Sequence, residues 1–135
     1  MGLFDRKVKR RKETGSALER YQKSFYHAME GLGYSFFHEH NIIIIFTAIL
    51  ITTSFGFFFH INTFEWLFCI LIMGMVLGCE MINTAIEATI DLITTDTHPL
   101  AKIAKDTASS ATLVFSITAL IGAIIIFGPK IMALF

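Results

Sequence analysis

The chain has 135 residues, the length of one domain. Only 16% of them are charged, against roughly 25% in an average soluble domain, while 54% are hydrophobic and the mean hydropathy is +0.63. That balance excludes a disordered chain, a nucleic-acid-binding domain and an ordinary soluble enzyme, and points to a membrane protein.

A formal net charge of zero conceals an asymmetry. Eight of the eleven Lys and Arg residues fall between Arg6 and Lys23; Lys102 and Lys105 share one later connection, and Lys130 lies near the end. Residues 1–15 are polar, basic and aperiodic, which predicts a solvated cytoplasmic arm drawn to anionic headgroups. Residues 16–135 read as one membrane domain.

From 16 to 38, Leu18, Tyr21, Phe25, Ala28, Met29, Leu32 and Phe36 recur at the spacing of one helical face, between Glu19, Arg20, Lys23, His27 and Glu30. The pattern predicts an amphipathic helix lying in the membrane interface, opened by a Ser16/Glu19 capping box and loosened at Gly31 and Gly33. Three spans follow, at about 42–60, 64–91 and 99–127. The first holds the uncharged run Ile42–Phe59, and the third the run Ala108–Phe127, which Gly128-Pro129 is expected to stop. Pro99 suits a first helical turn, so the third helix starts well before its apolar part. Ten basic residues on one side against one on the other put the N-terminus in the cytoplasm and the C-terminus outside a multi-pass plasma-membrane protein. The expected fold class is all-α: three transmembrane helices plus the interfacial helix. Cys69 and Cys79 are ten residues apart on one presumptive helix and read as apolar filler, not a redox pair.

The chemistry concentrates in the second span. At 100° per residue, Glu80, Asn83, Glu87 and Asp91 share an arc of about 80°. Gly74, Gly78, Met81 and Ala85 lie nearly opposite, and Gly74-x-x-x-Gly78 fits a close helix–helix contact. A carboxylate near the bilayer centre costs at least about 2.5 kcal/mol, so three on one stripe call for a function. Glu39, Lys105, Asp106 and Arg20 stand at the same inner boundary. Acids from two helices with a lysine and an arginine fit a site for a metal and phosphates. A buried glutamate with its proton affinity raised by burial fits a general base. Bland readings stand beside these: Glu80 and Glu87 as helix-pairing acids, Asn83 as an interhelical donor, Lys105 as a snorkelling lysine, His98 as a turn residue. His38-Glu39-His40 does not face one way on a helix, and His60 and Glu65 read as solvated on the outer side. No Gly-rich phosphate loop of a soluble kinase is present.

Glu80-Met-Ile-Asn83-Thr-Ala-Ile-Glu87-Ala-Thr-Ile-Asp91, followed by His98-Pro-Leu-Ala-Lys-Ile-Ala-Lys105-Asp106, closely resembles the bacterial integral-membrane diacylglycerol kinase family, most of all its Gram-positive undecaprenol kinase branch. The likeness covers about residues 18–130. It implies a homotrimer with active sites shared between neighbours, ATP and Mg²⁺ from the cytoplasm, and a lipid alcohol from the bilayer. By position, Glu80 matches the catalytic base. Glu39 and Glu87 match glutamates touching metal and nucleotide; Arg20, Asn83, Asp96, His98, Lys105 and Asp106 match positions around the nucleotide and phosphates. Ser109 matches a position near the lipid, as Glu80 does. The function implied is phosphorylation of undecaprenol, with diacylglycerol as the alternative lipid. A reading of another class, a small cation or proton conductor using the acidic stripe as its path, stays open on the residues alone.

Overall fold

The computed structural model describes residues 16–135; the basic arm 1–15 lies outside the described residues. Four helices follow in order: α1 (Ala17–His38), α2 (His40–Phe58), α3 (Thr63–Ile93) and α4 (Pro99–Met132), with no strand among the described residues. Those up to Gly33 and those from Tyr34 to Phe135 form two compact units.

In the first unit, α1 opens on the expected box: Glu19 N–H donates to Ser16 Oγ at 3.3 Å, and Ser16 N–H donates to Glu19 Oε2 at 3.0 Å. Gly31 and Gly33 do not loosen the helix, which runs on to His38. Each costs about 1 kcal/mol relative to alanine, and neighbouring turns of good helix formers absorb that. On its surface, His27 Nδ1–H donates to Glu30 Oε2 at 3.0 Å. That bond, and then the one from Tyr26, hold the Glu30 carboxyl below the usual carboxylate range, while Glu30 pushes the Tyr26 hydroxyl up. A depressed carboxyl stabilises above its unfolded pKa and loses that contribution as pH falls through its folded one. Acidification is therefore expected to lower the amide protection factors around Tyr26–Glu30, measured relative to the intrinsic exchange rate at each pH, with no such change in Glu30→Gln.

In the second unit, α2, α3 and α4 are each long and apolar enough to cross a membrane. The break after α1 falls at Glu39, whose extended backbone (φ −110°, ψ 117°) starts α2. Asn62 caps α3: its side chain accepts from Phe64 N and Glu65 N, and Glu65 Oε2 accepts from Asn62 N at 2.8 Å. Before it, His60 takes the left-handed region (φ 49°), turning the chain between α2 and α3. His98 caps α4, its Nδ1 accepting from Leu100 N at 3.2 Å, with Pro99 in the first turn.

α4 does not stop at Gly128-Pro129; Pro129 lies inside it. Proline in a last turn forfeits a single backbone bond, and the following residue is anchored from outside. Lys130 Nζ donates to Glu65 Oε1 at 2.9 Å. Glu65 is thus not solvated as expected: it closes its own helix's box and clamps the end of α4, its side chain 21% exposed. Residues 65 positions apart meet because α3 and α4 are antiparallel.

The core lies toward this end. Ile61, Cys69, Ile126 and Phe127 are buried, with Phe59, Trp66, Met73 and Ala123 against them. Phe127 meets Phe55 edge-on at 5.8 Å. Both cysteines are free. Close approach occurs not at Gly74 and Gly78, which no atom outside their own helix approaches, but at Gly56 and Gly122. A Cβ at Gly122 would overlap the Phe68 ring, and one at Gly56 would come within 2.6 Å of Trp66. Gly122→Ala is expected to destabilise by about 1–3 kcal/mol through overpacking, read as a lowered unfolding midpoint in detergent.

Candidate functional site

α3 packs against both α2 and α4. The polar stripe of α3 grades from buried to open. Glu80 is 2% exposed, Asn83 and Thr84 are buried, Glu87 is half-buried and Asp91 is exposed. About three turns of polar groups thus enter an apolar bundle from one end.

Glu80 lines an open cavity of about 260 Å³ with Asn41 of α2 and Ser109, Thr112 and Ser116 of α4, alongside Ile44, Ile45 and Leu113. No ion pair among the described residues involves Glu80. Asn83 Nδ2–H donates to Glu87 Oε1 at 3.0 Å, which fixes one oxygen of Glu87. The backbone carbonyl of Glu80 accepts from Thr84 Oγ1 at 3.1 Å.

Two buried oxygens have no partner among the described residues: Thr112 Oγ1, of a residue lining the Glu80 cavity, and Asn83 Oδ1, about one turn from Glu80 along α3. Six other helical hydroxyls, those of Thr47, Ser54, Thr84, Thr89, Ser110 and Thr118, are satisfied by backbone carbonyls. Buried polar atoms are nearly always paired, so unpaired ones beside a buried acid mark a place where polar ligand atoms complete the set.

A second cavity of about 580 Å³ opens where α3 ends and α4 begins, lined by Asp91, Asp96, His98, Lys102, Lys105 and Asp106 among others. Lys105 Nζ donates to Asp91 Oδ1 at 2.6 Å. Two lysines, three aspartates and a histidine thus line a hollow about twice the size of the first. Ser109 lies one helical turn beyond Lys105 on α4, so the two cavities follow one another along the same helix.

The expected residues therefore fall into two groups. Glu80 and Ser109 line the inner cavity; Asp96, His98, Lys105 and Asp106 line the outer one. Asn83 and Glu87 are joined to each other between them along α3. Glu39 starts α2 two residues before Asn41, half-buried and with no side-chain cap bond to occupy its carboxylate. Arg20 belongs to the other unit. No three His, Cys, Asp or Glu side chains among the described residues form a metal cage. Two partly free carboxylates instead suit Mg²⁺, which keeps water and takes much of its shell from substrate phosphates.

Sequence reasoning passed over Asn41, Thr112 and Ser116 in the inner cavity. Their signal was present: Ser109, Thr112 and Ser116, three and four apart, put hydroxyls on one face of an apolar span. It also left Asp91 without a role, since nothing local ties it to Lys105 fourteen residues on.

Residues 26–127 match the family model of prokaryotic diacylglycerol kinase. The chain is 38% identical to undecaprenol kinase of Bacillus subtilis (strain 168) over 120 residues, 89% of this chain and 98% of that one. It is 35% identical to a diacylglycerol kinase of Synechocystis sp. over 100 residues, 73% of this chain and 57% of that one. Against a diacylglycerol kinase of Helicobacter pylori (strain ATCC 700392 / 26695) the identity is 31% over 99 residues, 71% and 75% of the two chains.

Proposed function

The chain belongs to the prokaryotic diacylglycerol kinase family, a family of lipid kinases that carry out nucleotide-dependent phosphoryl transfer, and from that premise we propose that it moves the γ-phosphate of ATP onto the hydroxyl of a membrane lipid alcohol, undecaprenol ahead of diacylglycerol. One observation carries the reading. A buried carboxylate, free of any basic partner among the described residues, lines a cavity between spanning helices, and a larger cavity bearing Lys105 and His98 lies next along α4. A lipid hydroxyl arrives from the bilayer side and a triphosphate from the polar end. The resemblance to the B. subtilis protein along nearly its whole length favours undecaprenol as the lipid.

In the proposed reaction Glu80 accepts the proton of the lipid hydroxyl as its oxygen bonds to the γ-phosphorus and the bond to the ADP oxygen breaks. Asn41 and Ser109 orient the alcohol beside Glu80. Lys105, released from Asp91, faces the charge developing on the phosphoryl oxygens. Asp96, His98 and Asp106 border the nucleotide. Glu39 and Glu87 would hold Mg²⁺, which when bound would supply positive charge to offset that of the phosphates.

The same reading puts the Asp91 end in the cytoplasm of a cell-membrane protein, in line with the Lys/Arg distribution, with α1 along the interface. It makes the assembly a homotrimer with shared sites. The face bearing Gly74 and Gly78 is open in the protomer, as a subunit contact needs. Purified protein offered undecaprenol and diacylglycerol with ATP is the test. A higher kcat/KM for diacylglycerol overturns the choice of lipid, and no transfer to either overturns the kinase reading.

A further inference from the structure

α3 packs on both of its neighbours, whereas α2 and α4 stay apart over most of their length. The gap between them is a groove. It begins at the Glu80 cavity and continues as a hollow of about 390 Å³ that shares Ile44, Ile45 and Ser116 with that cavity and is floored by Met73 and Val76 of α3. A further hollow of about 300 Å³ shares Ile51, Thr52 and Ala123 with the second and ends at Phe127, Gly128 and Ile131. Beyond Ser116 the walls are aliphatic and aromatic apart from Thr52. From Asn41 to Phe55 along α2 the groove spans about 21 Å, and from Ser109 to Ile131 along α4 about 33 Å, at 1.5 Å per residue. One leaflet of a hydrocarbon core about 30 Å thick is about 15 Å deep. A groove of that length that starts at the edge of one leaflet passes the midplane and enters the other.

We infer that this groove holds the tail of one long linear isoprenoid alcohol and so measures chain length, an inference that rests on the lipid-kinase reading above. Three features select this occupant. The groove is continuous with the cavity of the proposed base, so its contents are attached to the reacting hydroxyl. It is a single file between two helices, which fits one chain and not the pair carried by a diacylglycerol. It outruns a leaflet, where an ordinary acyl chain ends. Contacts made far from the reacting centre contribute to the rate when they help seat the hydroxyl against Glu80.

The test is a chain-length series on the full-length protein in lipid nanodiscs: farnesol, polyprenols of increasing length, undecaprenol and a dioleoyl glycerol, each with ATP. The expected result is a kcat/KM that climbs by about tenfold or more from farnesol to undecaprenol, since a single well-buried methylene is already worth about that much. A series flat beyond farnesol overturns the inference. Thr52→Phe, which fills the far half of the groove, is expected to lower the ratio of undecaprenol to farnesol activity at least about fivefold. An unchanged ratio counts against it, and so does a changed oligomeric state by light scattering, which would make a second copy of the chain the occupant. Should this variant fail to fold, the wild-type series still decides. If polyprenols of all lengths react alike, the groove assignment alone falls. If only the diacylglycerol reacts, the choice of lipid falls with it.

Discussion

Glu80→Gln is expected to lower phosphoryl transfer by about 10²–10⁴-fold, the usual worth of a general base, while the protein folds and assembles as before. The side chain is enclosed, 2% exposed, and no basic group pairs with it among the described residues. The substitution keeps the shape and removes an acid whose ionised form is costly inside a membrane domain. Were Glu80 a structural acid, its loss would break a buried pair and cost about 3–5 kcal/mol; no such pair is present among the described residues. The two roles therefore predict opposite signs. A catalytic Glu80 gives an inactive variant with an unchanged or raised unfolding midpoint, and a structural one gives a fragile variant with activity in its folded fraction. Glu80→Asp, shorter by one methylene, is expected to keep the base but misplace it, and to recover part of the rate. Activity of Glu80→Gln within about tenfold of wild type would remove the base from the mechanism.

What was legible beforehand follows from the range of the interactions involved. The spans could be read because a helix in lipid must satisfy its own backbone and show an apolar surface, which writes about twenty apolar residues into each. The Ser16/Glu19 box and the start at Pro99 are local and were readable. The stripe Glu80–Asp91 was readable because helical period alone aligns it. Expectations failed where a partner lies far off in sequence. Glu65 looked solvated because Lys130 is 65 residues away, and α4 looked finished at Pro129 because that same anchor was invisible. Gly74 and Gly78 showed the small-residue spacing, yet within the chain the tight contacts are Gly56 on Trp66 and Gly122 on Phe68, isolated glycines set by bulky partners on a facing helix. Asn41 and Thr112 joined the site for the same reason: a cavity wall comes from three helices, and no one of them announces it.

Lys105→Met is expected to lower kcat/KM by about 10²–10³-fold, the typical cost of deleting one donor aimed at developing charge. The Lys105–Asp91 pair sets the terms. Its side chains are 35% and 58% exposed, and an ion pair so open to solvent is worth about 0–1 kcal/mol. In the proposed reaction a triphosphate would bring several negative charges into the same cavity and outcompete one carboxylate for the ammonium. Asp91 thus holds Lys105 inside the cavity, instead of letting it snorkel away to lipid headgroups, and gives it up at little cost. Asp91→Asn should consequently be mild, within about tenfold of wild type, because the ammonium remains. Lys105→Arg should recover only part of the loss, since a planar fork on a different stem does not reproduce a compact point charge. The two lysine variants should keep the wild-type unfolding midpoint within about 1 kcal/mol. A cation-conducting path would behave otherwise: removing a positive group beside its acids would raise flux, not abolish a transfer. Lys105→Met that phosphorylates lipid at the wild-type rate would detach the outer cavity from the reaction and leave Glu80 without an electrostatic counterpart.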